Sequence, residues 1–291
     1  MHRSGTSLCA HMLHAMGVDM AETPGVSPEN IRGHWERSRI NDLNDEVFAA
    51  FSRGWAQTSH ALALPDSWLH DPRVAAVGAA LAAWLRPLVA SGRFGFKDPR
   101  TARLLPLWRD VFATLNVRPR FVFCVRDPIQ VTRSISARDH LDAAQSEYRW
   151  LIYNMAAVLG VGRDPVCVVP YEEWFTRPEE TARRLANFVD VAPLDADVVR
   201  MIVDPSLRHD AVVREPAQRL VRRLHGLILE SVAAGRFGAN LLAYCDCLEA
   251  FAAQVQPLLV DSEVLRASVA AQNRVIGDLN AALKQARRVE A

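Results

Sequence analysis

The residues best suited to chemistry are cations set beside small polar residues. Arg3-Ser4-Gly5-Thr6-Ser7 opens a helical pattern through Leu8, Cys9, Leu13 and Met16 that closes at Gly17. A Gly/Ser/Thr loop at the start of a helix presents unpaired backbone N–H groups and the positive end of the helix dipole to one point. An anion fits there, and Arg3 adds a full charge. Farther along, Phe96-Lys97-Asp98-Pro99 and Val125-Arg126-Asp127-Pro128 share one pattern. An apolar run ends in a cation, Asp suits the N-cap of a following helix, and Pro suits its first position. Both cations then fall at the carboxyl end of a strand beside a helix N-terminus, the edge at which open α/β sheets bind ligands. With the loop, they describe a site for a ligand carrying anionic groups in more than one place.

These groups need a scaffold. The chain has 291 residues, half of them hydrophobic, enough to bury one large domain plus an appendage. Arg93 to Lys97, Arg120 to Arg126 and Val166 to Val169 read as short strands, each followed by a turn and a helical pattern. This alternation predicts an α/β fold, a P-loop-type parallel sheet flanked by helices. Helices are expected over Trp35 to Phe51, Pro72 to Val89, Asp142 to Leu159 and Pro178 to Phe188. The pattern after Pro99 also reads as helical, through Leu104, Leu107, Trp108 and Val111. Beyond residue 214 the chain turns helical and rich in Ala, Leu, Val and Arg, over 216–234 and 239–288. Leu265, Val269, Ile276, Leu279 and Leu283 follow three- and four-residue steps with Gln272 in the seam, a coiled-coil-like stripe within 262–288. The expected division is an α/β domain over 1–213 and a C-terminal helical extension over 214–291. That extension could pack on the domain, form a homodimer or lead into a fused domain. Loops like residues 3–7 normally follow a buried strand. None precedes this one, so the expectation is that the N-terminal strand is missing and the natural start lies upstream.

The totals set limits. A net charge of +1 gives no bulk drive toward nucleic acid or acidic lipid, so an anion site must be local. The sequence suggests no membrane span and no signal peptide. The five cysteines are odd in number and lack paired metal spacing, and Cys124 and Cys167 fall in strand-like apolar runs. That usage suits reduced thiols and a cytoplasmic protein.

The order of motifs is specific: Arg-Ser-Gly-Thr-Ser at 3–7, Gly-His-Trp-Glu at 33–36, Phe-Lys-Asp-Pro at 96–99, Val-Arg-Asp-Pro at 125–128 with Ser134 eight residues after Arg126, and Val-Pro-Tyr-Glu at 169–172. Over residues 1 to about 210 this resembles the sulfotransferase family that uses 3′-phosphoadenosine 5′-phosphosulfate, most closely the bacterial branch related to tyrosylprotein sulfotransferases. The resemblance implies that Arg3, Ser4, Gly5, Thr6 and Ser7 hold the 5′-phosphosulfate, whose phosphate becomes the leaving group. It implies that Arg126 and Ser134 bind the ribose 3′-phosphate, and that Lys97 reaches the sulfuryl and bridging oxygens. Sulfuryl transfer is a loose in-line displacement in which lysine and arginine can replace a metal, so no metal ligands are expected. Glu36 matches the glutamate that resembles the catalytic base of the tyrosylprotein enzymes, and an enclosed cleft would suit it by raising its affinity for protons. His34 is the rival base. Glu36, Lys97 and Arg3 are thus the catalytic candidates. The acceptor is a hydroxyl compound, with carbohydrate favoured from the breadth of the family.

The bland alternatives have physical content too. Glu36 could merely complement the dipole in the first turn of a helix, Lys97 could be a solvated strand end, and Arg126 could pair with an acidic neighbour. Tyr171 and Trp150 read as core residues near the site, Arg133 as a solvated helix residue, and His2 as a shaping residue in the loop. Leu207-Arg208-His209-Asp210 could close over the nucleotide. A P-loop kinase or NTPase is the first competing class, but the loop lacks the Gly-Lys-[Ser/Thr] ending that would supply a phosphate lysine and a magnesium-binding hydroxyl. A non-catalytic nucleotide fold that presents its C-terminal helices to a partner is the second.

Overall fold

The structure is a computed structural model that describes residues 1–21, 25–26, 33–53, 62–139, 141–204 and 218–289; past residue 260 its side chains are described only at 269 and 272–276. The sheet is a parallel pair, β1 (Phe121–Val125) and β2 (Val166–Pro170), in register from Phe121↔Val166 to Val125↔Pro170. The crossover between them is made by α5 (Pro128–Asp139) and α6 (Ala143–Val161). Both strands are near-continuous apolar runs, as parallel strands covered on both faces must be. Side chains alternate between the faces. Phe123, Val125, Val166 and Val168 join α6 in one core, and Cys124, Cys167 and Val169 join a second core with α1 (Thr6–Ala15), α7 (Glu173–Thr176), α8 (Pro178–Val189) and α9 (Ala196–Ile202).

Two C-terminal helices complete the first core. In α10 (Arg219–Leu229) the residues Val221, Leu224, Leu227 and Ile228 are buried, and at the start of α11 (Ala239–Val289) so are Leu241, Cys245, Leu248 and Ala252. Both sets have the spacing of one helix face. Farther along α11, Val269 and Ile276 of the coiled-coil-like stripe are about half exposed, as is Val275. A third core gathers Ile40, Leu43, Val47 and Phe48 of α2 (Ser38–Ala50), Val77, Leu81 and Leu85 of α3 (Pro72–Ser91), and Leu107, Trp108 and Val111 of α4 (Leu105–Thr114). Contrary to the expectation from sequence, one described helix, α3, is long and apolar enough to cross a membrane. Its Val77, Leu81 and Leu85 are packed within this third core.

Three local expectations need correction. Arg93 to Lys97 is not a strand of the sheet: it makes a single parallel bridge, Asp19↔Phe94, with Gly95 N–H donating to Asp19 O. Its partner is the turn after α1, and glycines at 92 and 95 weaken extended pairing. The helix expected from Trp35 starts only at Ser38, because Trp35 has φ 56°, in the left-handed region. Glu36 therefore precedes the helix instead of sitting in its first turn. After Pro99 the chain makes a 3-10 turn, Pro99–Arg103, before α4 begins at Leu105.

The Lys97 segment is fixed from below by a buried polar network. Asp98, with no side-chain exposure, accepts from Arg100 Nε at 2.8 Å and from Asn44 Nδ2 at 2.8 Å. Asn44 Oδ1 in turn accepts from Trp108 Nε1 at 3.1 Å, and Arg100 also pairs with Asp45. Burial pushes the Asp98 carboxyl above the ordinary carboxylate range, against the pull of Arg100 and Asn44. The ionised network is therefore held at a desolvation cost that its own contacts must offset. Removing one member strands the others. Asp98→Ala is expected to lower the stability of the chain by about 3 kcal/mol, read as a fall in the urea midpoint at unchanged slope. A loss below about 0.5 kcal/mol, the usual size for a surface substitution, would show that the network is not structural.

Candidate functional site

The loop ahead of α1 turns sharply. Arg3 has φ 59° and Gly5 φ 82°, both left-handed, on either side of buried Ser4, whose hydroxyl donates to His2 O. Thr6 is the first residue of α1, whose N-terminus has no side-chain capping bond and no acidic residue in its first turn. Its leading N–H groups and dipole are thus directed into the loop, a ready anion nest.

Arg126 leaves the end of β1 and Tyr171 the end of β2, with Tyr171 N–H donating to Val125 O at 2.7 Å to extend the ladder. The guanidinium carbon of Arg126 lies 4.1 Å from the centroid of the Tyr171 ring. Its Nε donates to Gln130 Oε1 at 2.9 Å, one turn along α5, and its Nη1 donates to Arg3 O at 3.3 Å. Arg126 is buried, and among the described residues no carboxylate lies within ion-pair distance of it. A ring, an amide and a carbonyl orient the charge without neutralising it. Asp127, the neighbouring acid, spends Oδ1 on Ile129 N–H and Gln130 N–H, capping α5 as its sequence predicts.

Ser134, on the second turn of α5, meets the loop: Arg3 Nε donates to Ser134 Oγ at 2.7 Å. At the other end of the site, the Lys97 ammonium contacts the Glu36 carboxylate and lies 3.4 Å from Ser7 Oγ. Asn41 Nδ2, from the first turns of α2, donates to the other Glu36 oxygen at 2.8 Å. Glu36 and Lys97 are 18% and 12% exposed, enclosed but reachable. The candidates Arg3, Ser7, Glu36, Lys97, Arg126 and Ser134 are thus linked to one another across segments far apart in sequence, with Ser4, Gly5 and Thr6 forming the loop between them.

The remaining candidates separate. His34 is half-buried and its backbone N–H donates to Gly25 O. His2 is buried with its ring 5.2 Å from that of Tyr153, and Trp150 is fully buried in the first core. Arg133 is exposed, and Arg138 pairs with Asp139 at 2.6 Å. Residues 207–210, expected to close over a nucleotide, lie outside the described residues. Sequence reasoning missed Asn41, Gln130 and the contact of Tyr171 with the site. Gln130, four residues after Arg126 on a helix opened by Asp127-Pro128, is the one that spacing could have found. Among the described residues, no group of three or more His, Cys, Asp or Glu is arranged to hold a metal ion.

An uncapped helix N-terminus, three cations and an enclosed carboxylate thus gather beside a parallel strand pair in an α/β protein. A family model described as the sulfotransferase family matches residues 1–195, and the chain belongs to that family. No curated protein and no solved structure matches the chain.

Tyr171 also decides why residue 5 is glycine. A Cβ there would lie 2.5 Å from Tyr171 Cδ2, besides being strained at φ +82°. Gly5→Ala is expected to destabilise the chain by about 1–3 kcal/mol and to push the ring off Arg126. Thermal unfolding checks the first effect. A crystal structure of the variant with the Tyr171–Arg126 stacking unchanged would refute the second.

Proposed function

We propose that the chain transfers a sulfuryl group from 3′-phosphoadenosine 5′-phosphosulfate to a hydroxyl acceptor, with carbohydrate the favoured class. The observation that carries this reading is Arg126, a buried guanidinium held only by neutral groups and joined through Arg3 O to an uncapped helix N-terminus. A buried charge without a counter-ion is costly, and a bound anion relieves that cost. Two phosphate-bearing ends fit such a site: one on the loop of residues 3–7, the other on Arg126 and Ser134. The nucleotide would supply an activated sulfuryl group whose departure leaves a phosphate.

The residues of the chain have distinct tasks in this scheme. Arg3 and the first N–H groups of α1 would stabilise the charge gathering on the leaving phosphate. Lys97 would neutralise the transferring group. It contacts Glu36 now, and exchanging that partner for a ligand oxygen would leave the carboxylate available to take the proton of the acceptor hydroxyl. Asn41 would keep the carboxylate oriented meanwhile. The direct contact with Lys97 makes Glu36 the residue assigned as base, as in the tyrosylprotein-related branch that the sequence resembles.

Isothermal titration with adenosine 3′,5′-bisphosphate tests the reading. The parent chain is expected to bind without added metal, and Arg126→Ala to weaken binding by about 2 kcal/mol or more, roughly thirtyfold. Equal affinity in the two proteins would remove Arg126 from the site. Binding that requires Mg²⁺ and prefers ATP would overturn the reading as a whole.

A further inference from the structure

Trp35 occupies a conformation that bulky side chains avoid, with φ 56°, yet it is buried and lies directly before Glu36. Left-handed backbone at a bulky residue persists only where the surroundings impose it, and such outliers cluster at functional sites. The surroundings here include two imidazoles, beside the apolar side chains of the second core. The His11 ring is stacked on Trp35 at 4.6 Å and 14° between planes, and the His14 ring lies at 4.7 Å and 42°. Both histidines belong to α1, and Ser7, His11 and His14 follow one another at four- and three-residue steps, so they line one face of that helix. Ser7 meets Lys97, Lys97 meets Glu36, and Trp35 returns to the same helix face. On the far side of Glu36, Arg37 pairs with Asp19 at 2.8 Å and donates to Gly95 O at 3.3 Å. The carboxylate is therefore carried on a short span pinned at both neighbours.

We infer that Trp35 is a positioning residue: clasped by His11 and His14, it holds Glu36 against Lys97 and sets the base at a fixed distance from the phosphate loop on the same helix. The inference rests on the sulfotransferase reading for its catalytic meaning, but the geometry can be tested without it. The chain contains two lysines, Lys97 and Lys284. Acetylation by an N-hydroxysuccinimide ester, followed by mass spectrometry, therefore reports Lys97 against a single internal reference.

Trp35→Gly is the informative variant, because glycine accepts the left-handed backbone and removes only the ring. It is expected to raise the acetylation rate of Lys97 relative to Lys284 at least threefold, while Trp35→Phe stays near the parent. The double variant His11→Ala/His14→Ala removes the clasp from the other side and should act in the same direction, which keeps the test decisive if Trp35→Gly fails to fold. Unchanged Lys97 reactivity in whichever of these variants folds overturns the inference. In turnover of 3′-phosphoadenosine 5′-phosphosulfate, followed as nucleotide release into water or a hydroxyl acceptor panel, Trp35→Gly should lower kcat at least tenfold. The KM for the donor should stay within twofold, and Trp35→Phe should recover most of kcat. A loss confined to KM, or an equal loss in Trp35→Phe, would overturn the positioning role. A parent chain that neither binds adenosine 3′,5′-bisphosphate nor turns the donor over would sink the sulfotransferase reading, and Lys97 reactivity would still decide the geometry.

Discussion

Everything at the site depends on the parallel register of β1 and β2. Because Val125 stands opposite Pro170, the chain leaves both strands at the same edge and at the same level. Arg126 and Tyr171 are consequently neighbours, although 45 positions separate them in sequence. The bond from Tyr171 N–H to Val125 O extends the ladder just past the last strand pair, which is what brings the ring under the guanidinium. A slip of one residue would turn every side chain of one strand to the opposite face. Cys167 and Val169 would then face α6, and Val166 and Val168 would face α1 and α8, dismantling both cores. Hydrophobic burial on two faces thus enforces the alignment of Arg126 with Tyr171, whose ring also packs against the second core.

Charge is distributed unevenly across the site. Glu36 is paired with Lys97 at one end, whereas Arg126 at the other is held by a ring, an amide and a backbone carbonyl. The two arrangements have different consequences. A carboxylate partner compensates a cation and can be released when a ligand competes for it. Neutral partners fix the direction of a guanidinium but leave its charge for the ligand, and the low dielectric of a buried position makes that charge more effective. The first arrangement suits a group that must change partners during a reaction. The second suits one that must only hold.

The parts of this site legible in the sequence are those set by local rules. Asp127-Pro128 announces a capped helix, and the cap is there, with Arg126 on the strand end ahead of it. The alternating and continuous apolar patterns placed both true strands and most helices within a few residues. What the sequence concealed was decided by distant partners. Arg93 to Lys97 has strand-like composition, but its neighbour is the turn after α1 and the extended pairing stops at one bridge. Trp35 sits at the head of a helical pattern, but its burial in the second core and its stacking against His11 and His14 hold it outside the helix. Asp98 looked like a simple cap, whereas its carboxylate is also the centre of a buried network that joins α2 to the Lys97 segment. Two of these three misreadings border Lys97 and the third borders Glu36, so the least legible part of the chain surrounds the pair assigned to the chemistry. Local propensity gives way there to contacts from segments distant in sequence.

Helix α1 reconciles the two halves. Its N-terminus, through Arg3 and Gly5, touches Ser134, Arg126 and the Tyr171 ring; its first turn, through Ser7, touches Lys97; its next two turns, through His11 and His14, hold the residue before Glu36. A helix rises about 1.5 Å per residue and resists bending over so short a length. The separation between the loop of residues 3–7 and Glu36, proposed here as anion nest and base, is therefore set by a single helix. The buried face of α1, with Cys9, Met12, Leu13 and Met16 in the second core, anchors that element to the strands that carry Arg126 and Tyr171. For an in-line transfer between a donor on the nest and an acceptor at the base, alignment must survive the exchange of substrates. A helix that spans both stations provides that alignment before any substrate arrives.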